Sequence, residues 1–541
     1  MKVLIIGGVA AGTKTAAKLK REMPDAEVTI VTKGKDISYA GCGLPYYVGE
    51  VIKEKEALIV NTPEKFSNLT GANVITETEV TKVNPESKTV EALNADGETV
   101  TYEYDKLVVA TGASPIKPPL PGIDLPGVFC MRTPEDAFAA KDYIKDNNCE
   151  RAVVVGGGFI GLEVAENLRK MDLRVTVIDM ADQVLPGFSK DFANFFADHL
   201  ASIGIKVMTG RRVESIQGTD KPEKVLTDKK GAKADVVILS IGIRANTAFL
   251  DGTGIELMPN RTIKVNEYME TNVDDIYAVG DCVTVWNRYT RQPQWSPMGS
   301  TANMAGRVCA MNIAGKKVAY PGVLGTAVCH LPGLNIGKTG FTEETAKAAG
   351  FDPASVTVVT DDKAHYYPGS DTFIIKVVAD KATKKFLGVE ALGAGAVDKV
   401  VDVGATALAL KGSLDDLDNM DMAYAPPFST AIHPFVLAVQ VLENKLDGTM
   451  DSITPEEYAT GDYSEYKVID ASITPAIEGA PFVDPTTVEG VMPEFSTDDK
   501  LLLVCTKGKR AYLLQNKLRY YGYTNTKVLE SGTTFNGTDL V

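Results

Sequence analysis

Val3–Ile6 is an unbroken apolar run, the pattern a strand needs when both of its faces are buried. Gly7-Gly8-Val9-Ala10-Ala11-Gly12 follows, the alanine- and lysine-rich Thr13–Lys20 reads as a helix, and Val28–Val31 reads as the next strand. The same order returns later. Ala152–Val155 is apolar, Gly156-Gly157-Gly158-Phe159-Ile160-Gly161 has glycine at all three fingerprint positions, and Val175–Ile178 is the next apolar run, ending at Asp179. Each stretch predicts a strand, glycine turn, helix and strand, in which the turn lets a pyrophosphate approach the helix N-terminus. In the first copy Val9 replaces the middle glycine. Either copy alone is a weak signal, and the pair is a specific one.

Between the two, Leu107–Gly112 is a strand entering a small-residue turn, and the proline-rich Pro115–Pro121 reads as a crossover. A similar exit follows the second copy at Val236–Gly242. Ile276–Ala278 and Val279-Gly280-Asp281 form a further buried strand ending in an acid, so the chain is expected to return to its first domain from about 245. Residues 321–445 mix strands such as Phe373–Val378 with the Gly/Ala-rich helix Val397–Leu410. The polar residues 446–465 read as a linker, and a new α/β pattern starts at Tyr466. The expected fold class is α/β: two Rossmann-like domains (1–112 plus 245–320, and 113–244), an α+β domain at 321–445, and a small α/β domain at 466–541.

Composition narrows the class. The 541 residues are 44% hydrophobic and 23% charged, as in an ordinary globular protein. The net charge of −15 argues against nucleic acid as a partner, which would want a basic stripe. Cysteines stand at 42, 130, 149, 282, 309, 329 and 505, without a C-x-x-C pair, so neither a disulfide framework nor a metal site is indicated. Reduced thiols point to the cytoplasm. The opening apolar run is too short for a signal peptide, and no stretch of about eighteen apolar residues suggests a membrane span.

Cys42 carries the chemistry. It lies in Ser38-Tyr39-Ala40-Gly41-Cys42-Gly43-Leu44-Pro45, where flanking glycines leave the sulfur approachable and Pro45 suits a helix first turn. A helix N-terminus lowers a thiol pKa, so a thiolate is expected at neutral pH, with Ser38 donating to the sulfur. Asp281 closes its strand where a flavin ribityl chain needs an acceptor, or caps a helix. Asp179 is placed to accept from ribose hydroxyls and repel a 2′-phosphate, which favours NADH over NADPH. Its counterpart in the first copy is Thr32, whose hydroxyl offers a weaker ribose contact. Tyr366 and Tyr424 stand beside prolines, either as general acids or as packed aromatics. His433 is an acid/base or a capping residue. Cys505 ends the apolar run Leu501–Val504 and opens a loop with Lys507, Lys509 and Arg510, an anion nest suited to a thiolate or persulfide.

With these residues the chain resembles the coenzyme A-disulfide reductase and NADH-dependent persulfide reductase branch of the glutathione-reductase superfamily. Ser-Tyr-x-x-Cys at 38–42, Ala-Thr-Gly at 110–112, Tyr-Ala-Val-Gly-Asp at 277–281 and Tyr-Ala-Pro-Pro at 424–427 carry the likeness over residues 1–445. The tail resembles a rhodanese domain through Cys-x-x-Gly-x-Arg at 505–510, although it is short and lacks a Gly-His-Ile-Pro-Gly-Ala stretch. The resemblance implies FAD at the first copy, NADH at the second, coenzyme A as substrate or bound thiol, and a homodimer through 321–445. The cofactor positions it implies are Gly7, Gly8, Ala10, Ala11, Gly12, Thr32, Lys33, Ser38, Val80, Ala110, Thr111, Gly112, Gly156, Gly158, Ile160, Gly161, Glu163, Asp179, Gly242 and Asp281. Lys18 and Arg21, with Ser38, are the implied coenzyme A contacts, and Tyr366 and Tyr424 would serve the partner subunit's flavin. His433 stands where an acidic residue is commoner. The implied activity passes hydride from NADH to FAD and then an electron pair to Cys42, which reduces a disulfide, persulfide or polysulfide, with Cys505 as sulfane-sulfur carrier. Two alternatives are an NADH oxidase or peroxidase cycling Cys42 through sulfenic acid, and a sulfur-carrier or redox-sensing protein. Oxidase-type relatives usually carry histidine in the first glycine turn, where this chain has Ala10.

Overall fold

The computed structural model describes residues 1–540. The chain forms two compact units, one of Met1–Val184 and Gly204–Val323, the other of Leu185–Ile203 and the chain from Leu324 onward. Among the described residues no helix is long and apolar enough to cross a membrane.

The first unit holds two five-stranded sheets of the same design. In one, the order is Ile276–Ala278, Lys106–Val109, Lys2–Ile6, Glu27–Val31 and Asn73–Ile75, every pair parallel. In the other it is Val128–Cys130, Val236–Leu239, Arg151–Val155, Arg174–Ile178 and Lys206–Met208, again all parallel. Val3–Ile6 and Ala152–Val155 are buried because each is central in its sheet, with a strand on either side and helices on the faces. Each buried Val, Leu or Ile contributes about 1.5–3 kcal/mol, which holds the glycine turns at the carboxyl ends of these strands. That is where ligands bind in open parallel sheets. The helix Ala10–Glu22 packs against Gly299–Ile313 so closely that a Cβ at Gly306 would lie 2.7 Å from the Ala11 carbonyl oxygen. Any larger residue at 306 would push these helices apart.

The second unit is built on an antiparallel sheet ordered Ala327–Leu331, Leu334–Gly340, Phe386–Gly393, Thr372–Asp380 and Pro353–Asp361. The helices Val397–Leu410 and Pro434–Leu446 pack on it. The helix Lys190–Ser202, which the sequence places within 113–244, groups with this unit instead. Its Asp191 accepts from the buried Lys376 at 2.8 Å, and the Ser189 N–H donates to Glu390 at 2.7 Å. A buried ammonium needs such a partner, so the charge fixes where this helix lies.

The tail forms a parallel sheet ordered Ser452–Ile453, Thr526–Leu529, Leu501–Val504 and Lys467–Asp470. This corrects the reading of 446–465 as a linker, since Ser452–Ile453 pairs with Val528–Leu529 and Pro455–Thr460 is helical. The polarity that suggested a linker is partly capping chemistry: Thr454 and Glu457 form a capping box.

Candidate active site

The two glycine turns are built alike. Gly7 has φ +111°, and a Cβ there would lie 2.2 Å from the Ala110 carbonyl oxygen; Gly156 has φ +113° and the same 2.2 Å approach to Ser240. A Cβ at Gly12 would meet the Gly7 oxygen at 1.9 Å, and one at Gly161 the Gly156 oxygen at 2.0 Å. Strand and helix therefore close on each other through backbone alone, leaving the helix N-terminus open to an anion. A Cβ at Gly158 meets nothing within 4 Å, so the second turn leaves space for a pyrophosphate, whereas the first has the half-buried Val9 at the equivalent place. Ala10 and Ala11 are small, and both turns fit a dinucleotide.

Asp179 accepts from the Gly157 N–H at 2.5 Å and the Ala181 N–H at 2.7 Å, which pins its carboxylate over the turn. Thr32, at the equivalent place, is buried and faces Gly8. Lys33 pairs with Glu79 at 2.9 Å beside the half-buried Val80. Thr111 Oγ1 donates to the Asn246 carbonyl at 2.7 Å, which holds the Ala110–Gly112 turn. Ile160 is exposed on the first turn of its helix, and Gly242 has φ +113°. Lys18 pairs with Glu22, which also binds Lys316 and whose carboxyl is thereby held well below the usual range. Arg21 is exposed.

Cys42 is exposed within a single tight turn, Gly41–Gly43, before the helix Leu44–Val48. Gly49 ends that helix so near Asn167 that a Cβ would lie 2.3 Å from its Oδ1. Tyr46 donates to Glu163 at 3.5 Å from the same side. The cysteine turn is thus locked against the helix Phe159–Lys170 that follows the second glycine turn. Around the sulfur gather Glu163, Asp281 and Arg132, the last donating to Asp281 at 2.8 Å. No spacing or motif singles out Arg132, a lone arginine before the Thr133 capping box.

Two expectations at this cysteine are corrected. Ser38 Oγ receives the Asn61 amide at 3.5 Å rather than serving the sulfur. The thiol is pushed above its ordinary value of 9.0, by desolvation first and then by the Glu163 and Asp281 carboxylates, with Arg132 opposing. A five-residue helix is too short to outweigh them. Since the thiolate is the reactive form, iodoacetamide alkylation of Cys42 in cofactor-free protein should rise about tenfold per pH unit and still climb past pH 9. Arg132→Gln removes the cation that favours thiolate and should slow alkylation at fixed pH. A plateau below pH 8 would contradict this electrostatic picture.

In the second unit Tyr366 and Tyr424 are exposed and hydrogen-bonded to each other, which raises the Tyr424 pKa and keeps that phenol protonated at neutral pH. His433 is resolved as a cap: its Nδ1 accepts from the Phe435 N–H at 3.2 Å at the start of Pro434–Leu446. Burial, with help from Lys399, lowers its pKa to about 4, so it is neutral at physiological pH and no general acid.

Cys505 is 2% exposed, and its sulfur accepts from the Gly508 N–H at 3.1 Å and the Ala511 N–H at 3.4 Å. Gly508, at φ +86°, turns the loop inward ahead of the helix Lys509–Tyr520. The short tail does not leave the sulfur open. Gly532 lies so close that a Cβ would fall 1.7 Å from the Cys505 carbonyl oxygen, and the Thr533 N–H donates to that oxygen at 3.0 Å. Buried Glu530 ties the tail to the antiparallel sheet by accepting from Lys445, Ser452 and the Thr357 N–H at 2.7, 2.6 and 2.8 Å. Lys507 and Arg510, expected to face the sulfur, are bound to Asp361 and Asp484, and Lys509 is exposed.

Residues 1–306 match the pyridine nucleotide-disulphide oxidoreductase model, and 326–435 match the dimerisation domain of the same group. A solved NAD-dependent persulfide reductase from A. fulgidus is 34% identical, covers 99% of this chain and 100% of its own, and superposes with TM-score 0.94. Reduced Bacillus anthracis CoADR-RHD is 32% identical with TM-score 0.93, over 99% of this chain and 98% of its own. An NADH oxidase of Methanocaldococcus jannaschii is 37% identical over 447 residues, 82% of this chain and 99% of that protein.

Proposed function

The chain belongs to the pyridine nucleotide-disulphide oxidoreductase family and is an FAD-dependent oxidoreductase, and we propose that it uses NADH to reduce coenzyme A persulfide or disulfide at Cys42. The observation that carries this reading is the tail. The likeness to the persulfide reductase extends over 99% of the chain and so takes in the tail. A buried sulfur cradled by two N–H groups is what a sulfur-handling enzyme needs and an oxidase does not.

Gly7, Gly12 and the Ala110–Gly112 turn would hold FAD, with Asp281 as acceptor. Gly156, Gly158, Gly161 and Asp179 would hold NADH. Cys42, as thiolate, attacks the sulfur of the substrate's S–S bond and forms a mixed disulfide, while hydrosulfide or the coenzyme A thiolate departs. FAD, when bound, would supply the electron pair from NADH needed to return this mixed disulfide to thiols. Tyr424, kept protonated by Tyr366, protonates the departing thiolate. Both tyrosines lie in the stretch matched by the dimerisation model, together with exposed Phe428 and Ile432. Exposed aromatics in such a domain favour a homodimer in which they act at the partner's flavin. Reduced thiols favour the cytoplasm.

Cys505 acts in this reading as a tethered sulfane-sulfur carrier that raises the local persulfide concentration without adding affinity. Cys505→Ala should slow turnover about tenfold with glutathione persulfide as sulfur source and leave reduction of preformed coenzyme A disulfide unchanged. Mass spectrometry after exposure to a sulfur donor should find an adduct of roughly 32 daltons on Cys505. No adduct would reduce the tail to a docking element. Steady-state NADH turnover with coenzyme A persulfide, coenzyme A disulfide, oxygen and peroxide tests the whole. Faster turnover with oxygen or peroxide would replace it with the oxidase reading.

A further inference from the structure

The Cys505 loop looks strongly basic in sequence, but two of its cations are already neutralised. Lys507 Nζ lies 2.7 Å from Asp361 Oδ1, at the end of the strand Pro353–Asp361. Arg510 donates through Nη2 to Asp484 Oδ1 at 2.8 Å and through Nε to the Ala471 carbonyl at 2.9 Å. Asp484 is itself oriented by the Thr486 N–H at 2.9 Å. Each cation has one carboxylate. The third cation, Lys509, is exposed, and the sulfur itself accepts from the neutral N–H groups of Gly508 and Ala511.

A cradle of two backbone dipoles suits one negative charge and offers little to two or three. Sulfane donors differ in this respect. Transfer from thiosulfate joins its outer sulfur to the Cys505 thiolate, breaks the donor S–S bond and expels sulfite with the bonding pair. Thiolate and thiosulfate together bring three negative charges into the loop. Transfer from a thiol persulfide breaks the same kind of bond and expels a thiolate, with one negative charge when the persulfide is protonated. With two of its cations paired, the loop suits the second reaction better than the first.

Resting on the reading of Cys505 as a sulfur carrier, we propose that Asp361 and Asp484 determine donor selectivity. By holding Lys507 and Arg510 in ion pairs they restrict Cys505 to thiol persulfides and exclude thiosulfate. Neither carboxylate touches the reacting sulfur. Both act through the cations they hold.

The test measures sulfur loading of Cys505 by mass spectrometry in the full-length, FAD-loaded protein, with glutathione persulfide and with thiosulfate. Wild type should load from the persulfide about 100-fold faster than from thiosulfate, because like charges brought together are strongly unfavourable. Asp361→Asn releases Lys507 and should raise thiosulfate loading about tenfold while changing persulfide loading less than about twofold. Adding Lys507→Gln to that variant should remove the gain, which a merely structural role for the ion pair would not predict. Asp484→Asn frees Arg510 within the tail itself, and should act in the same direction even if Asp361→Asn loosens the tail. Equal wild-type loading from both donors overturns the proposal. So does the absence of a thiosulfate gain in Asp484→Asn. If wild type loads from neither donor, it is the carrier reading that fails.

Discussion

Replacing Cys42 with serine should reduce turnover of both coenzyme A disulfide and persulfide by about four orders of magnitude or more, the scale of losing a covalent nucleophile. FAD should stay bound, and NADH should still bleach it. The division follows from the geometry. Cys42 is exposed on its own short turn, so the substitution removes no core contact. The glycine turns are closed by backbone approaches at Gly7, Gly12, Gly156 and Gly161 that do not involve it. Serine keeps the size but not the chemistry, since an alcohol does not exchange with an S–S bond. Stopped-flow reduction by NADH and steady-state turnover separate the two halves. A variant keeping a tenth of the turnover would require another thiol to do the work, and the cysteines at 130, 282, 309, 329 and 505 are buried while Cys149 is half-buried.

What the sequence revealed was local. The strand, glycine turn and helix of each dinucleotide unit are contiguous, so Val3–Gly12 and Ala152–Gly161 announce themselves without tertiary knowledge. The helix Val397–Leu410 and the strand around Phe373–Val378 were legible for the same reason. What escaped was every feature set by distant charges. Arg132 reaches Asp281 across 149 positions, and no spacing rule connects them. The Cys42 turn and Pro45 suggested an acidic thiol, but Glu163 and Asp281 arrive through folding and reverse the sign. Chain position puts Lys507 beside its neighbouring cysteine, yet its partner is Asp361, 146 positions away. Lys190–Ser202 was assigned by its place in the chain, while Asp191 follows the buried Lys376. Local pattern specifies the scaffold, and long-range electrostatics specify how reactive its groups are.

Asp179 should give NADH an advantage over NADPH of about 100-fold or more in kcat/KM, as expected when a fixed carboxylate meets an added phosphate. Both of its oxygens are engaged, by Gly157 and Ala181, so the side chain cannot swing away to admit a 2′-phosphate. At about 4 Å and an effective dielectric near 20, each pair of like unit charges costs about 4 kcal/mol, and solvent at this half-buried site reduces that figure. What survives is still worth two or more factors of ten. Met180–Gln183 supplies no arginine to offset the repulsion. Asp179→Asn removes the charge but also weakens the acceptor for the Gly157 N–H, so NADH efficiency should fall as the turn loosens. Absolute rates therefore do not isolate the electrostatic part, and the ratio does. A loosened turn penalises both cofactors alike, whereas loss of the carboxylate helps NADPH alone. The NADH to NADPH ratio should drop at least tenfold in the variant, given that one charge pair is removed. An unchanged ratio with both efficiencies lowered would leave Asp179 as a brace for the glycine turn and assign cofactor choice to other residues.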